Sequence, residues 1–364
     1  MEAAIVPNNG KYSLGMISFR CNFIQVFLNA NRKTKYCDIV AVRGIIKIKR
    51  KKMGNLISFM QKVANELQAS GNYGTAHVYK SSLNALVAFH GNGHLPFRKV
   101  TPEFIKSFET HLRRKGCSWN TVSTYLRTLR AVYNRAIRCH MANYVPHLFK
   151  YVYTGTRADR KRALDNGEMA QLLDNSPSGL TTPPYLKKTH ALFVLMFMLR
   201  GLPFVDLAYL KKSDLEENVL TYRRRKTGRQ LSVTLTPEAM ILVRRYMNTD
   251  PSSPYLFSLI TADEGTEVAY REYQLALRNF NYQLTLLKRI LGFTSNLSSY
   301  TARHTWATMA YYSEVHPGII SEAMGHSSIM VTETYLKPFR NKKIDEANIQ
   351  VIAFAKQYIN PIIA

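Results

Sequence analysis

The sequence predicts a mainly α-helical protein carrying one small β-hairpin, and three observations lead there. Apolar residues recur at helical spacing through residues 55–141. Helical runs return at 191–199, 275–291 and 344–358. Between them, residues 219–235 read as two short strands about a Thr227-Gly228 turn signal. With 364 residues, 46% of them hydrophobic, the chain can fill two cores at ~100–200 residues per domain.

Residues 1–53 form an N-terminal segment, read as a short arm or strand. Positions 39–48 are rich in β-branched residues and predict a strand. Lys47-Ile48-Lys49-Arg50-Lys51-Lys52 is a basic run, either a solvated face or a strap lying against phosphates.

Residues 54–146 predict a helical domain. Leu56, Phe59, Val63 and Leu67 repeat at helix spacing, and 78–89 repeats the pattern. Thr101-Pro102-Glu103 is a start signal: a capping hydroxyl, a proline at the first helical position, then an acid. Asn120 is placed to cap the next helix. At about 100° per residue, Val122, Tyr125, Leu126, Leu129, Val132, Tyr133 and Ala136 fall on one side of it. Arg127, Arg130, Arg135 and Arg138 fall on the other. One face buries in a bundle; the other is a solvated basic face or a row of phosphate contacts.

Residues 147–162 read as a linker, since 154–162 are polar and basic without apolar periodicity. A second domain is expected over 163–340. In it 191–199 reads as a buried helix ending at Arg200, a charge that needs a partner there. The helix over 275–291 is amphipathic and basic, suited to scaffolding or to reading a groove. A tail helix over 341–364 carries Ile344, Ala347, Val351 and Phe354 as a stripe, to pack in cis or on a neighbouring protomer.

The charge balance points to a polyanion. Fifty Lys and Arg face 24 Asp and Glu, a net charge of +26, which concentrates and steers nucleic acid. A membrane surface is the rival partner. The most apolar run, however, stops at Arg200, well short of the ~20 residues a span needs. The first residues lack a basic n-region and an apolar h-region, so no signal peptide is expected. Cys21, Cys37, Cys117 and Cys139 show no CxxC spacing, which fits a reducing cytoplasm rather than zinc or disulfides.

The chemistry gathers in 299–339. Arg303 sits in Ser-Tyr-Thr-Ala-Arg-His-Thr-Trp-Ala-Thr, His326 in Met-Gly-His-Ser-Ser, and Tyr335 in Thr-Glu-Thr-Tyr. An arginine fork grips phosphate through two N–H groups. An imidazole can donate to the same phosphate, and a tyrosine hydroxyl can attack it to form a covalent intermediate. These residues suggest phosphoryl transfer on a polymer with no metal and no cofactor. Taken alone, 316–335 also reads as a helix-turn-helix with Gly325 in the turn.

Those three fragments, in that order and spacing, resemble the C-terminal signature of the tyrosine recombinases, the phage-integrase family. The resemblance extends over about 55–340 and implies a helical core-binding domain followed by an α+β catalytic domain. In the family a first catalytic arginine lies in Leu-Arg-Gly with an acid six residues on, which implies Arg200, with Asp206 as its brace. The family lysine before a Thr-Gly turn implies Lys226, at the end of the first hairpin strand. Arg223, Arg224 and Arg225 are expected on neighbouring phosphates.

By the resemblance, Arg200 and Arg303 clamp the phosphate, His326 donates to it, Tyr335 attacks and Lys226 protonates the leaving oxygen. One position departs from the pattern: Tyr300 stands where the family carries a histidine three residues before the second arginine. It either donates to the phosphate or is structural. The implied protein is a site-specific DNA recombinase, an integrase or invertase, needing neither ATP nor metal. Its implied partners are double-stranded DNA with specific recombination sites, three further copies in a homotetramer on synapsed DNA, and accessory DNA-bending proteins. Two rivals are weighed against it: a type IB topoisomerase-like strand relaxer, and a catalytically inert DNA-binding regulator.

Overall fold

The computed structural model describes residues 54–156, 163–174, 183–326, 328–333 and 341–357. It is mainly helical with a small antiparallel sheet, as the hydrophobic periods predict. The strand expected over 39–48, the basic run at 47–52 and Tyr335 lie outside the described residues.

The first bundle holds α1 (Leu56–Ala69), α2 (Tyr73–His90), α3 (Pro102–Arg114) and α4 (Trp119–Arg138). Its core joins Leu56, Met60 and Val63 of α1 to Leu83 and Leu86 of α2, Ile105 and Phe108 of α3, and Leu126, Leu129 and Val132 of α4. Thr101 caps α3, its hydroxyl accepting from the Phe104 N–H at 3.2 Å with Pro102 in the first turn. The cap of α4 is Ser118, not Asn120: its hydroxyl accepts from the Thr121 N–H at 3.2 Å. Asn120 therefore falls inside the first turn.

The second core is built on α6 (Pro184–Met198), nearly all of whose second half is buried. The apolar run marks only that half; the helix begins at a proline suited to the first turn. Around it pack α5 (Asn166–Leu173), α7 (Phe204–Tyr209), α8 (Pro237–Tyr246) and α9 (Glu267–Leu291). The predicted basic helix at 275–291 is the later part of α9, which starts two turns earlier behind a Thr266 cap.

The sheet has three strands in the order β1 (Leu215–Glu216), β2 (Val219–Arg223), β3 (Gln230–Thr234). The β2–β3 hairpin pairs Leu220 with Val233 and Tyr222 with Leu231, so one face enters the core. β1 is too short to leave a periodic signal. Lys226 lies in the connecting turn rather than at the end of a strand, because pairing stops at Arg223. There the Gly228 N–H donates to the Arg224 carbonyl at 2.7 Å, with Gly228 at φ +70°.

The last elements are α10 (Thr301–Tyr312), α11 (Pro317–Ala323), α12 (Ile329–Glu333) and α13 (Asn341–Gln357). α10 packs on α6, and the Thr305 hydroxyl takes the Leu164 N–H at 3.0 Å, fixing the start of this unit to α10. Ala307, Ile320 and Met324 form a small core between α10 and α11. In α13, Ile344, Ile349, Val351, Ile352 and Phe354 are all exposed.

Candidate active site

Three local structures meet at one point. The first is the end of α6, where the chain turns through two left-handed residues, Arg200 at φ +58° and Gly201 at φ +70°. The Leu202 N–H reaches back to the Met196 carbonyl at 2.9 Å and closes that turn. A non-glycine residue held at positive φ costs of order 1–3 kcal/mol and points to a functional constraint. Arg200 is partly exposed and donates through Nη1 to the Ser232 carbonyl of β3 at 3.2 Å.

The second is α10, whose Arg303 is 2% exposed and among the largest fully buried side chains. Its Nη1 donates to the Gly201 carbonyl at 2.9 Å, and its Nη2 to the Met324 carbonyl at 2.7 Å. The third is the turn after α11, which presents His326. Arg303 Nη2 also lies 2.8 Å from His326 Nε2. Gly325, at φ +65°, makes that turn: a Cβ there would stand 3.1 Å from Leu231 and 3.3 Å from Arg224. The hairpin can approach His326 this closely only across a glycine.

Arg200, Arg303 and His326 are thus brought to one place from three elements, and Lys226 comes near enough to act on the imidazole by its charge. Burial, then the charges of Arg303, Arg224 and Lys226, push the His326 pKa down to about 4. At neutral pH the ring is uncharged. Tyr300 precedes α10, is 38% exposed, and sets its ring 5.2 Å from that of His304.

The arginines of the hairpin divide. Arg223 is exposed. Arg225 lies over the Tyr209 ring at 3.7 Å and pairs with Glu264. Arg224 is the correction: expected on a neighbouring phosphate, it is instead 6% exposed and turned inward. Its Nε pairs with Asp206 at 2.6 Å and its Nη1 donates to the Met324 carbonyl that Arg303 also holds. Alternation along β2 carries the reason, since Leu220, Tyr222 and Arg224 share the inward face. Asp206 is buried too, and its other oxygen takes the Arg225 N–H at 2.9 Å. It therefore braces the hairpin and Arg224; its link to the arginine clamp runs through the shared Met324 carbonyl.

Two further residues carry no sequence signal. Arg229 donates to the His326 carbonyl at 2.9 Å, and Thr332 Oγ1 lies 2.8 Å from His326 Nδ1. On α4, Arg127, Arg130 and Arg138 are exposed, while Arg135 pairs with Glu66 of α1. Their face is open, with one of the four arginines paired at the surface to a neighbouring helix.

Comparison with known proteins fits this geometry. The phage integrase SAM-like domain matches residues 55–151, and the phage integrase family model matches 162–342. Tyrosine recombinase XerC of Bacillus licheniformis is 25% identical over 296 residues, 78% of this chain and 92% of that protein. Tyrosine recombinase XerA of Pyrococcus furiosus is 23% identical over 274 residues, 66% and 91% of the two chains. Among solved structures, the Tn1549 transposon integrase in complex with transposon right end DNA superposes with a TM-score of 0.59. It shares 16% identity over 83% of this chain and all of that one. A lambda integrase dimer bound to a COC′ core site gives 0.56, with 16% identity over 78% and 95%. At that identity the structures share the fold. The chain belongs to the tyrosine recombinase (phage integrase) family, and its activity is site-specific DNA recombination.

Proposed function

We propose that this recombinase cuts and rejoins DNA through a covalent 3′-phosphotyrosine at Tyr335. The phenol oxygen attacks the scissile phosphorus, the new P–O bond forms, and the bond to the 5′ oxygen breaks. Arg200 and Arg303 hold the non-bridging oxygens, where charge grows in the transition state. His326 adds a hydrogen bond. Lys226, on its exposed turn, protonates the departing 5′ oxygen as general acid. The reverse sequence, with a new 5′ hydroxyl attacking the phosphotyrosine, rejoins the strand without ATP.

The observation that carries this reading is the cluster at Arg303. A fully buried arginine with carbonyl oxygens on Nη1 and Nη2, and an imidazole within 2.8 Å, is rigid before any ligand arrives. Preorganised cations of this kind contribute most of the stabilisation of a phosphoryl transition state. Tyr300, its ring against His304, is assigned a structural part, and water takes the phenol proton.

The same reading assigns double-stranded DNA as the partner, with Arg127, Arg130, Arg138 and Arg223 on its phosphates. A lambda integrase tetramer bound to a Holliday junction shares this fold, with a TM-score of 0.56. It supports a homotetramer on two paired sites, with accessory bending proteins where the sites need them. The domains would follow the sequence divisions except that the first runs past 146, since Leu148 is buried in its core with Phe149 and Val152 packed against it. The two would close on the duplex. Cys117 and Cys139 carry free thiols, which suits the cytoplasm.

The test is a covalent trap. Duplexes carrying candidate attachment sites, nicked beside the cleavage point, are incubated with the protein and resolved on a denaturing gel. The wild type is expected to yield a protein–DNA adduct that Tyr335→Phe abolishes while still binding the duplex. An adduct that survives Tyr335→Phe overturns the assignment of the nucleophile.

A further inference from the structure

Thr332 is wholly buried, three residues before the proposed nucleophile, and its only described side-chain partner is the His326 ring. The two ring nitrogens of His326 face different company. Nε2 lies 2.8 Å from Arg303 Nη2 and Nδ1 2.8 Å from Thr332 Oγ1. A guanidinium can only donate, so Nε2 must accept. A neutral imidazole then carries its hydrogen on Nδ1, and Thr332 Oγ1 receives it.

That arrangement is the wrong one for holding a phosphate. A ring that donates to a phosphate oxygen through Nε2 needs its hydrogen there, which leaves a lone pair on Nδ1. Protonating the ring would also supply the Nε2 hydrogen, but the charges acting on it oppose that. Arg303 comes from α10, Arg224 and Lys226 from the hairpin, and Arg229 bonds its carbonyl. The carboxylates of the flanking helices, Glu322 and Glu333, are exposed, and Asp206 is taken up by Arg224. A hydroxyl both accepts and donates through one rotatable atom. A buried Nδ1 beside it keeps its hydrogen bond in either tautomer, where an apolar neighbour would leave it unsatisfied in both.

We propose that Thr332 is a positioning residue that lets His326 change tautomer rather than charge when DNA binds. Its hydroxyl accepts from Nδ1 in the free enzyme and donates to Nδ1 once a phosphate oxygen takes the Nε2 hydrogen. The Nδ1 proton leaves to water and Nε2 gains one from water, so the ring stays neutral. The proposal rests on His326 serving the scissile phosphate.

Nitrogen-15 NMR of histidine-labelled protein tests it, with the His326 signals assigned by their absence in His326→Gln. Free wild-type protein is expected to show the Nδ1–H tautomer. Tyr335→Phe protein bound to the nicked duplex is expected to show Nε2–H. An Nε2–H ring in the free protein, or an imidazolium in the complex, overturns the proposal. In single-turnover adduct formation, Thr332→Val is expected to lower the rate constant about tenfold, the loss of one buried hydrogen bond. Duplex affinity should stay near wild type, and Thr332→Ser should restore the rate. If Thr332→Val lowers only the fraction of active protein, with an unchanged rate constant, Thr332 is structural and the proposal fails. If that variant does not fold, the spectra decide alone. The free-protein spectrum does not depend on strand cutting, so failure here is separable from failure of the Tyr335 assignment.

Discussion

Gly201 lies against Arg303 so closely that a Cβ added to the glycine would stand 2.8 Å from the Arg303 Cα. The glycine carbonyl takes the Arg303 Nη1 hydrogen bond, and the residue before it is Arg200. One glycine therefore sets the spacing between the two proposed clamp arginines. Gly201→Ala meets both a backbone clash and a φ of +70°, and is expected to cost about 1–3 kcal/mol of stability. Urea unfolding checks the first effect. The adduct assay, run where the variant is still folded, should show a larger loss than stability explains, because α6 must move away from α10.

Asp206 and Arg224 form the buried ion pair beneath the hairpin, with side chains 1% and 7% exposed. Asp206→Ala leaves the guanidinium buried without its counter-charge and is expected to destabilise by about 3–5 kcal/mol. Asp206→Asn, which keeps an acceptor for the Arg225 N–H, should cost less. Chemical denaturation of the two variants side by side measures the difference. Equal losses would mean that the pair contributes through shape and not charge.

His326 gives stability a pH dependence of known sign. Its pKa is held at about 4 in the fold by burial and by Arg303, Arg224 and Lys226, against ~6.5 in an unfolded chain. Between those values the unfolded state binds the proton and the folded state does not. Stability is therefore lost as pH falls from about 6.5 toward 4. His326→Gln lacks this contribution, so the stability gap between variant and wild type should shift in the variant's favour at lower pH. Thermal melts at pH 7 and pH 5 check it; a gap independent of pH contradicts the neutral, buried ring.

The exposed arginines of α4 predict a salt effect. Arg127→Ala, Arg130→Ala and Arg138→Ala should each reduce the slope of log affinity against log salt by about 0.9, one phosphate contact apiece. Arg135→Ala removes a pair with Glu66 and should alter the slope least of the four. Titrations of duplex DNA at several salt concentrations measure this.

Much of the architecture was legible because it depends on local periods. Helical spacing marked α1, α2 and α4, the Thr101-Pro102 start marked α3, and the Thr227-Gly228 turn marked the hairpin. Ends were less legible: Ser118 and Asn120 are both competent caps, and only the course of the chain into α4 selects the serine. The inward turn of Arg224 had a signal that the charge run obscured, the alternation from Leu220 through Tyr222.

The sequence by itself determined the helical class and the basic character, which follow from residue type and spacing along the chain. It offered Arg303 and His326 as candidates by their motifs, and Arg200 through the resemblance to the family. Only the tertiary structure decided that Arg224 faces a carboxylate and not solvent, and that Gly201 spaces the arginines. It also decided that the two nitrogens of His326 face Arg303 and Thr332. Those facts concern groups from different elements meeting across the fold, in one case 102 residues apart. A local period can mark which side chains turn inward, as it does at Arg224, but which groups then meet, and in which direction they hydrogen-bond, arises only where such elements pack.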